Sequence, residues 1–202
     1  MKTTARIISV VFQPLLMTTY LFAMVGYFLP TFLLPIRPSI WFLLLVFLMT
    51  FILPLLNFIW FRVSGTIQDF NLFDRRQRIL PFVFISVLYV TVTAMFYYKF
   101  SAPNILKLLI IISTMVVTGT FVTFFFKISV HSLAAWGIIG ILVPLNTSVE
   151  GNVMLPAIAG SIVLAGLIMS SRLKLDAHTL REVTVGALVG FGISFFGMLW
   201  LF

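Results

Sequence analysis

The residues best suited to chemistry in this 202-residue chain lie in the stretch 171–183, just before the last apolar run. The stretch holds His178, one of two histidines, and Asp176 and Glu182, two of five carboxylates, in a chain that is 61% hydrophobic. Ionisable side chains beside membrane-spanning segments are costly to place and indicate a functional site. The guanidinium group of the neighbouring Arg172 presents N–H donors that suit a tetrahedral oxyanion. Together these residues predict a site that binds and attacks phosphate.

The spacing of His178 and Glu182 suits nucleophilic attack. Asp176 is predicted to N-cap the last helix, which places His178 and Thr179 in its first turn. Glu182 follows His178 by four residues on the same helix face, so its carboxylate can accept a hydrogen bond from one ring nitrogen. That bond would fix the tautomer and leave the other nitrogen free to attack. A helix N-terminus also favours a bound anion beside the ring.

The second histidine has a similar setting. Ser129 is predicted to cap an earlier helix, with His131 and Ser132 in its first turn and Lys127 just ahead. Both helices begin on the same side, so two positive helix ends can converge on one anion. One histidine would be the nucleophile and the other the general acid for the leaving group. Taken alone, either histidine fits a satisfied core position; their matching settings favour a shared site.

The elements that position these residues are predicted to be membrane helices. This chain carries 9% charged residues and has a mean hydropathy of +1.18, whereas soluble domains carry about 25% charge. Its apolar runs of roughly 20 residues match a bilayer core of about 30 Å, and their continuous apolarity indicates helices rather than barrel strands. We expect an all-α polytopic transmembrane bundle, one integral domain over residues 1–202, in the cell (inner) membrane.

Seven apolar segments are predicted. Because the fifth segment is short and the first contains Pro14, we expect six or seven membrane spans. The first run is longer than the apolar core of a signal peptide, so no cleavable leader is expected. On the last segment, Gly186, Gly190, Ser194 and Gly197 share one stripe and predict close helix packing. The segments cover Arg6–Leu29, Ser39–Phe61, Pro81–Tyr98, Ile105–Phe126, Ser129–Leu145, Val153–Ser170 and Val183–Phe202.

Charge and cysteine content narrow the possible partners. The net charge of +8 is explained by loops that face cytoplasm or anionic lipid headgroups and by an anion site, rather than by nucleic-acid binding. With seven helices, ten of the 13 Lys and Arg residues fall on the side of the two histidines. The positive-inside rule would make that side cytoplasmic, although basic residues that hold phosphate add to the count. The chain has no cysteine, so neither a disulfide nor a thiolate site is available.

The residues of both histidine settings resemble signatures of the type 2 phosphatidic acid phosphatase (PAP2) superfamily. Its third signature, Ser-Arg-x5-His-x3-Asp and then Val-x2-Gly-x3-Gly, is similar to the run 171–190, with Glu182 in place of Asp. Its second, Pro-Ser-Gly-His, is similar to the run 128–131, which keeps Ser129 and His131. Its first, Lys-x6-Arg-Pro, meets only arginines and Pro81 in the run 74–81, without the lysine.

This resemblance, which covers about residues 75–190, implies a PAP2-like core and a metal-independent lipid phosphatase without cofactors. His178 would be the nucleophile that forms a phosphohistidine, Glu182 would orient it, and His131 would protonate the leaving group. The implied substrates are membrane lipids that carry a phosphomonoester or pyrophosphate, such as phosphatidic acid, phosphatidylglycerol phosphate or isoprenyl pyrophosphates. The residues implied in holding phosphate are Arg172, Ser129, Arg78, Arg76 and Lys127.

Other functions stay open at this point. The degenerate first and second signatures also fit a non-catalytic protein that binds or transports lipid phosphate, and a structural membrane subunit without a site is a third possibility. Asp69 and Asp74 suggest the Mg²⁺-binding aspartates of intramembrane prenyltransferases. That chemistry needs a second acidic cluster, so turn residues or partners for nearby arginines are favoured. The sequence does not indicate an oligomeric state.

Overall fold

The computed structural model describes residues 2–66 and 75–202, and of Arg75 and Arg76 it describes the main chain only. The described residues form α-helices and no strand. Short 3₁₀ turns follow α2 and α6, and a π-helical turn lies within α3. The helices are α1 (Lys2–Val11), α2 (Pro14–Phe28), α3 (Ile40–Val63), α4 (Arg75–Lys99), α5 (Pro103–Phe125), α6 (Val130–Thr147), α7 (Leu155–Lys174) and α8 (Leu180–Leu201).

Six of these helices, α3 to α8, are long and apolar enough to cross a membrane. The pair α1 and α2 would make a seventh span if the two counted as one, but they are bent by 61° at the break between them. The expectation of an all-α fold is therefore confirmed for the described residues, and the number of helices long and apolar enough to span a membrane agrees with the six or seven expected.

The predicted first segment, Arg6–Leu29, is broken at Pro14. Pro14 is the first residue of α2, and the preceding Gln13 is extended, with φ −66° and ψ 140°. A proline disfavours the helical region for the residue before it, and its own missing N–H costs no hydrogen bond in the first turn of a helix. The break lets α1 turn away from α2 and pack against α7, where Ala5 and Ser9 are buried.

The helices that carry the two histidines, α6 and α8, are in close contact through small residues. A Cβ added to Gly186 of α8 would lie 2.6 Å from the main-chain oxygen of Ser129, and one added to Gly190 would overlap the carbonyl of Leu133. At Gly140 of α6 an added Cβ would lie 2.6 Å from the oxygen of Phe191. The small-residue stripe predicted for the last helix is therefore a packing surface, which brings the two helix backbones together.

Two pairs of hydroxyl groups join α4 to α5. Ser86 and Thr120 lie 2.8 Å apart, and Thr93 and Ser113 lie 2.7 Å apart. Hydrogen bonds of this kind hold membrane helices together, because lipid offers these groups no alternative partner. They fix α4, which carries Arg78, within the bundle.

The contact between α6 and α8 can be tested with one methyl group. We expect Gly186→Ala to lower the free energy of unfolding by about 1–3 kcal/mol, because the methyl group meets main-chain atoms that cannot move aside. Thermal unfolding in detergent would measure the change. Gly192→Ala on the same helix is the matched control, since a Cβ there meets no atom within 4 Å. Equal melting temperatures for the two variants would contradict the packing argument.

Candidate functional site

A cavity of about 770 Å³ lies between α1, α2, α4, α5 and α6 and reaches the loop before α8. Its lining on α6 extends from Val130 to Ile141, which at 1.5 Å per residue is a depth of about 16 Å. One end is polar and the rest is largely apolar. The polar end is lined by Arg6, Ser9, Arg78, His131, Arg172 and His178. The apolar walls include Leu21, Phe82, Ile112, Met115, Ile138 and Ile141.

His178 is held by Glu182, but by a different cap from the one predicted. Thr179 is the N-cap of α8, and its hydroxyl accepts a hydrogen bond from the Glu182 N–H in a capping box. Asp176 lies in the loop after α7 with φ +54°, so the prediction that Asp176 caps this helix was wrong. A threonine three residues before a glutamate forms the reciprocal pair of bonds that Asp176 cannot form from its position. His178 thus precedes the helix instead of lying in its first turn.

The predicted hydrogen bond between His178 and Glu182 is present. His178 Nδ1 and Glu182 Oε2 lie 2.6 Å apart, and the imidazole is buried. Because a carboxylate can only accept, Nδ1 carries the proton and Nε2 keeps its lone pair. Burial, and then the positive charges of Arg78 and Arg172, with a further contribution from Lys127, lower the pKa of His178 from 6.5 to about 3. The ring is therefore neutral near pH 7, as a nucleophile must be.

His131 lies in the first turn of α6 and faces the same cavity. Its Nε2 is 3.1 Å from the main-chain oxygen of Ser9 in α1, and since a carbonyl only accepts, Nε2 carries the proton. Its Nδ1 is the ring nitrogen left for a ligand. The structure therefore brings both histidines to one cavity, although they are far apart in sequence.

Ser129 caps α6 as predicted, but its hydroxyl does not reach the cavity. Its Oγ accepts hydrogen bonds from the main-chain N–H of Ser132 at 3.4 Å and from the Ser132 hydroxyl at 3.1 Å. Ser129 is fully buried and is not among the residues that line the cavity. The structure therefore gives Ser129 a capping role and does not bring its hydroxyl to the lining of the cavity.

Two of the predicted cations line the cavity. Arg78 of α4 is buried, and its Nη1 donates to the oxygen of Ile128 at 3.4 Å. Arg172, near the end of α7, donates from Nη1 to the Ser9 hydroxyl at 3.3 Å, and its buried Nε has no hydrogen-bond partner. Lys127 is half-buried and does not line the cavity, although its charge acts on His178. The side chain of Arg76 lies outside the described residues, as do Asp69 and Asp74.

Sequence reasoning missed the contribution of α1. Arg6 and Ser9 line the polar end of the cavity, whereas the sequence placed them at the start of a continuous span. The sequence signal for a separate α1 is Pro14, because a proline within an apolar run interrupts a helix. A short basic segment before a proline is a reasonable candidate for a separate helix at the membrane surface.

The lining of the cavity suits an anion with an apolar tail. Among the described lining residues the charged ones are Arg6, Arg78 and Arg172, and no carboxylate lines the cavity. Within the described part of the chain, no group of three His, Asp or Glu side chains could hold a metal ion. Comparisons of the chain with models of protein families, with curated proteins and with solved structures find no match. A function must therefore be argued from the site itself.

The lowered pKa of His178 gives a direct test of this geometry. A histidine with the ordinary pKa of 6.5 is almost fully protonated at pH 5, whereas His178, at about 3, stays neutral there. We expect ¹⁵N spectra of histidine-labelled protein in detergent to show one ring still neutral with its proton on Nδ1 at pH 5. A His131→Gln variant, which leaves one histidine, assigns the signals. A His178 ring that titrates near pH 6.5 would contradict the buried, cation-rich setting.

Proposed function

We propose that this protein is a membrane phosphatase that hydrolyses a phosphomonoester or pyrophosphate of a lipid through a phosphohistidine at His178. The observation that carries the proposal is the 2.6 Å hydrogen bond from His178 Nδ1 to Glu182, in a cavity that also presents His131, Arg78 and Arg172. A neutral, oriented imidazole beside fixed guanidinium groups is the combination that nucleophilic attack on phosphorus requires. The PAP2 resemblance assigns the same roles to the two histidines and the carboxylate.

In the first step the lone pair on His178 Nε2 attacks phosphorus and the bond to the leaving oxygen breaks. The Glu182 carboxylate, which accepts the hydrogen bond from Nδ1–H, stabilises the positive charge that develops on the ring. Arg78 and Arg172 face the phosphoryl oxygens, whose charge spreads in the transition state. His131 enters this step with a second proton, on Nδ1, and gives that proton to the leaving oxygen, so a neutral lipid alcohol or a lipid monophosphate departs.

In the second step water attacks the phosphohistidine. His131, now neutral, takes a proton from the water, and the P–N bond breaks to release inorganic phosphate. The pair of electrons returns to Nε2, so His178 regains its neutral form and Nδ1 keeps its proton. The cycle consumes one water molecule for each phosphate ester.

The apolar part of the cavity supports a lipid substrate. A lipid tail could occupy the space between α2, α4 and α6 while its phosphate meets the polar end. Pockets of this kind bind by apolar contact and use a few polar groups to fix orientation. Phosphatidic acid, phosphatidylglycerol phosphate and isoprenyl pyrophosphates all meet these requirements.

One observation favours a second candidate function, a non-catalytic protein that binds or transports lipid phosphate. The Nε2 of His131 is engaged by a main-chain carbonyl, and the Ser129 hydroxyl is used as a helix cap. Both groups are therefore occupied within the protein instead of facing a ligand. Radiolabelled substrate that leaves phosphate on His178 would decide for the enzyme, whereas tight binding without turnover would decide for the binder.

The enzyme can be tested by substitution of His178. We expect His178→Ala to reduce phosphate release from lipid phosphates by about 10⁴-fold or more, because no other group can replace the nucleophile. A release assay over the three substrate classes, with folding checked by thermal unfolding, measures this. Lys174→Ala is the control, since this exposed residue lies in the same stretch and does not line the cavity. Undiminished release from the folded His178 variant would refute the assignment.

A further inference from the structure

We propose that Ser9 is a positioning residue of the candidate site, holding His131 through its main-chain carbonyl and Arg172 through its hydroxyl. The inference makes α1, which lies outside the stretch that resembles PAP2 signatures, a working part of the site. Its consequence for catalysis rests on the proposed function. The placement of the His131 and Arg172 side chains by Ser9 does not depend on the proposed function.

The bond to His131 fixes one ring nitrogen. Ser9 O lies 3.1 Å from His131 Nε2, and a carbonyl oxygen has no proton to give. The neutral ring must therefore carry its proton on Nε2 and present a lone pair on Nδ1. His178 has the opposite form, because Glu182 accepts from its Nδ1 at 2.6 Å. The two rings are thus held as different tautomers by partners from different helices.

The bond to Arg172 fixes a guanidinium group. Ser9 Oγ accepts from Arg172 Nη1 at 3.3 Å, while the buried Nε of the same side chain has no partner. Within the described part of the chain, Ser9 is therefore the one hydrogen-bond partner of this side chain. An arginine held at one end of its fork keeps its other N–H groups for a bound anion.

Packing of α1 holds Ser9 in place. Ser9 and Ala5 are buried on the face of α1 that contacts α7, the helix that carries Arg172. The ion pair between Lys2 and Asp176 spans 3.3 Å, but both side chains are largely exposed, and exposed pairs contribute little. The site contacts of Ser9 are therefore supported by buried surface and by the turn at Pro14, and do not depend on that ion pair.

The first test reads the tautomers directly and needs no turnover. We expect ¹⁵N spectra of histidine-labelled, full-length wild-type protein at pH 8 to show one ring protonated at Nδ1 and one protonated at Nε2. The chain has two histidines, so the variants His131→Gln and His178→Gln assign every signal. A His131 ring with its proton on Nδ1 would overturn the inference, because the Ser9 carbonyl could not then be its partner.

The second test measures the contribution of the Ser9 hydroxyl group to substrate binding. We expect Ser9→Ala to raise KM for phosphatidic acid, or for the lipid phosphate that is turned over fastest, about fivefold with little change in kcat. That ratio corresponds to about 1 kcal/mol, the size of one typical net hydrogen-bond contribution. Ser9→Thr, which restores a hydroxyl, should recover most of the loss. Ser161→Ala is the matched control, because Ser161 is a buried serine of α7 that does not line the cavity.

The outcomes of the two tests separate this inference from the proposed function. An unchanged KM in Ser9→Ala, or an equal rise in Ser161→Ala, would overturn the role of the hydroxyl. A wild-type protein that turns over no lipid phosphate would refute the enzyme, while the ring-nitrogen spectrum would still decide whether Ser9 holds His131.

Discussion

The close approach of α6 and α8 is the constraint on which the candidate site depends. Glycines on both helices let main-chain atoms meet where side chains would normally separate them, and the Ser129 N–H donates across the contact to the Glu182 carbonyl at 3.2 Å. That contact sets the beginning of α6 beside the beginning of α8. The histidines, one just before a helix and one in a first turn, come to a common cavity because the two helix ends do.

The charged side chains that line the cavity favour an anionic ligand. Of the described residues, three arginines and no carboxylate line it, and Glu182 beside it is bound to His178 and to its own helix cap. Placing cations beside an apolar space costs free energy, and a counter-ion offsets part of that cost. A phosphate group would supply such a counter-ion, so the charges that line the cavity favour an anionic ligand.

Much of the fold could be predicted from the sequence because membrane helices are specified by length and continuous apolarity. The small-residue stripe on the last helix follows from helical periodicity and is present. The bond from His178 to Glu182 is also present, although His178 precedes the helix and does not lie in its first turn. The choice between two nearby residues that could each cap the last helix was harder to predict from the sequence. Asp176 and Thr179 are both good capping residues, and the choice of Thr179 depends on the reciprocal bond from Glu182.

The contacts missed by the sequence analysis are those between distant parts of the chain. Nothing local to Ser9 indicates that its carbonyl meets His131, 122 residues later, or that its hydroxyl meets Arg172. The sequence also could not show that the Ser129 hydroxyl caps α6 and does not face the cavity, because serine serves equally well for helix capping and for ligand binding. The roles of Ser9 and Ser129 depend on which groups their polar atoms face, and tertiary packing determines that.

The depth of the cavity has a consequence for the lipids that could use it. Its lining on α6 ends at Ile141, and the fully buried Leu142 and Leu145 follow. A lipid held there would extend about 16 Å from the polar end, roughly half of a bilayer core. Under the proposed function the protein would draw its substrate from a single leaflet, and lipids of the opposite monolayer would have to flip before they could be dephosphorylated.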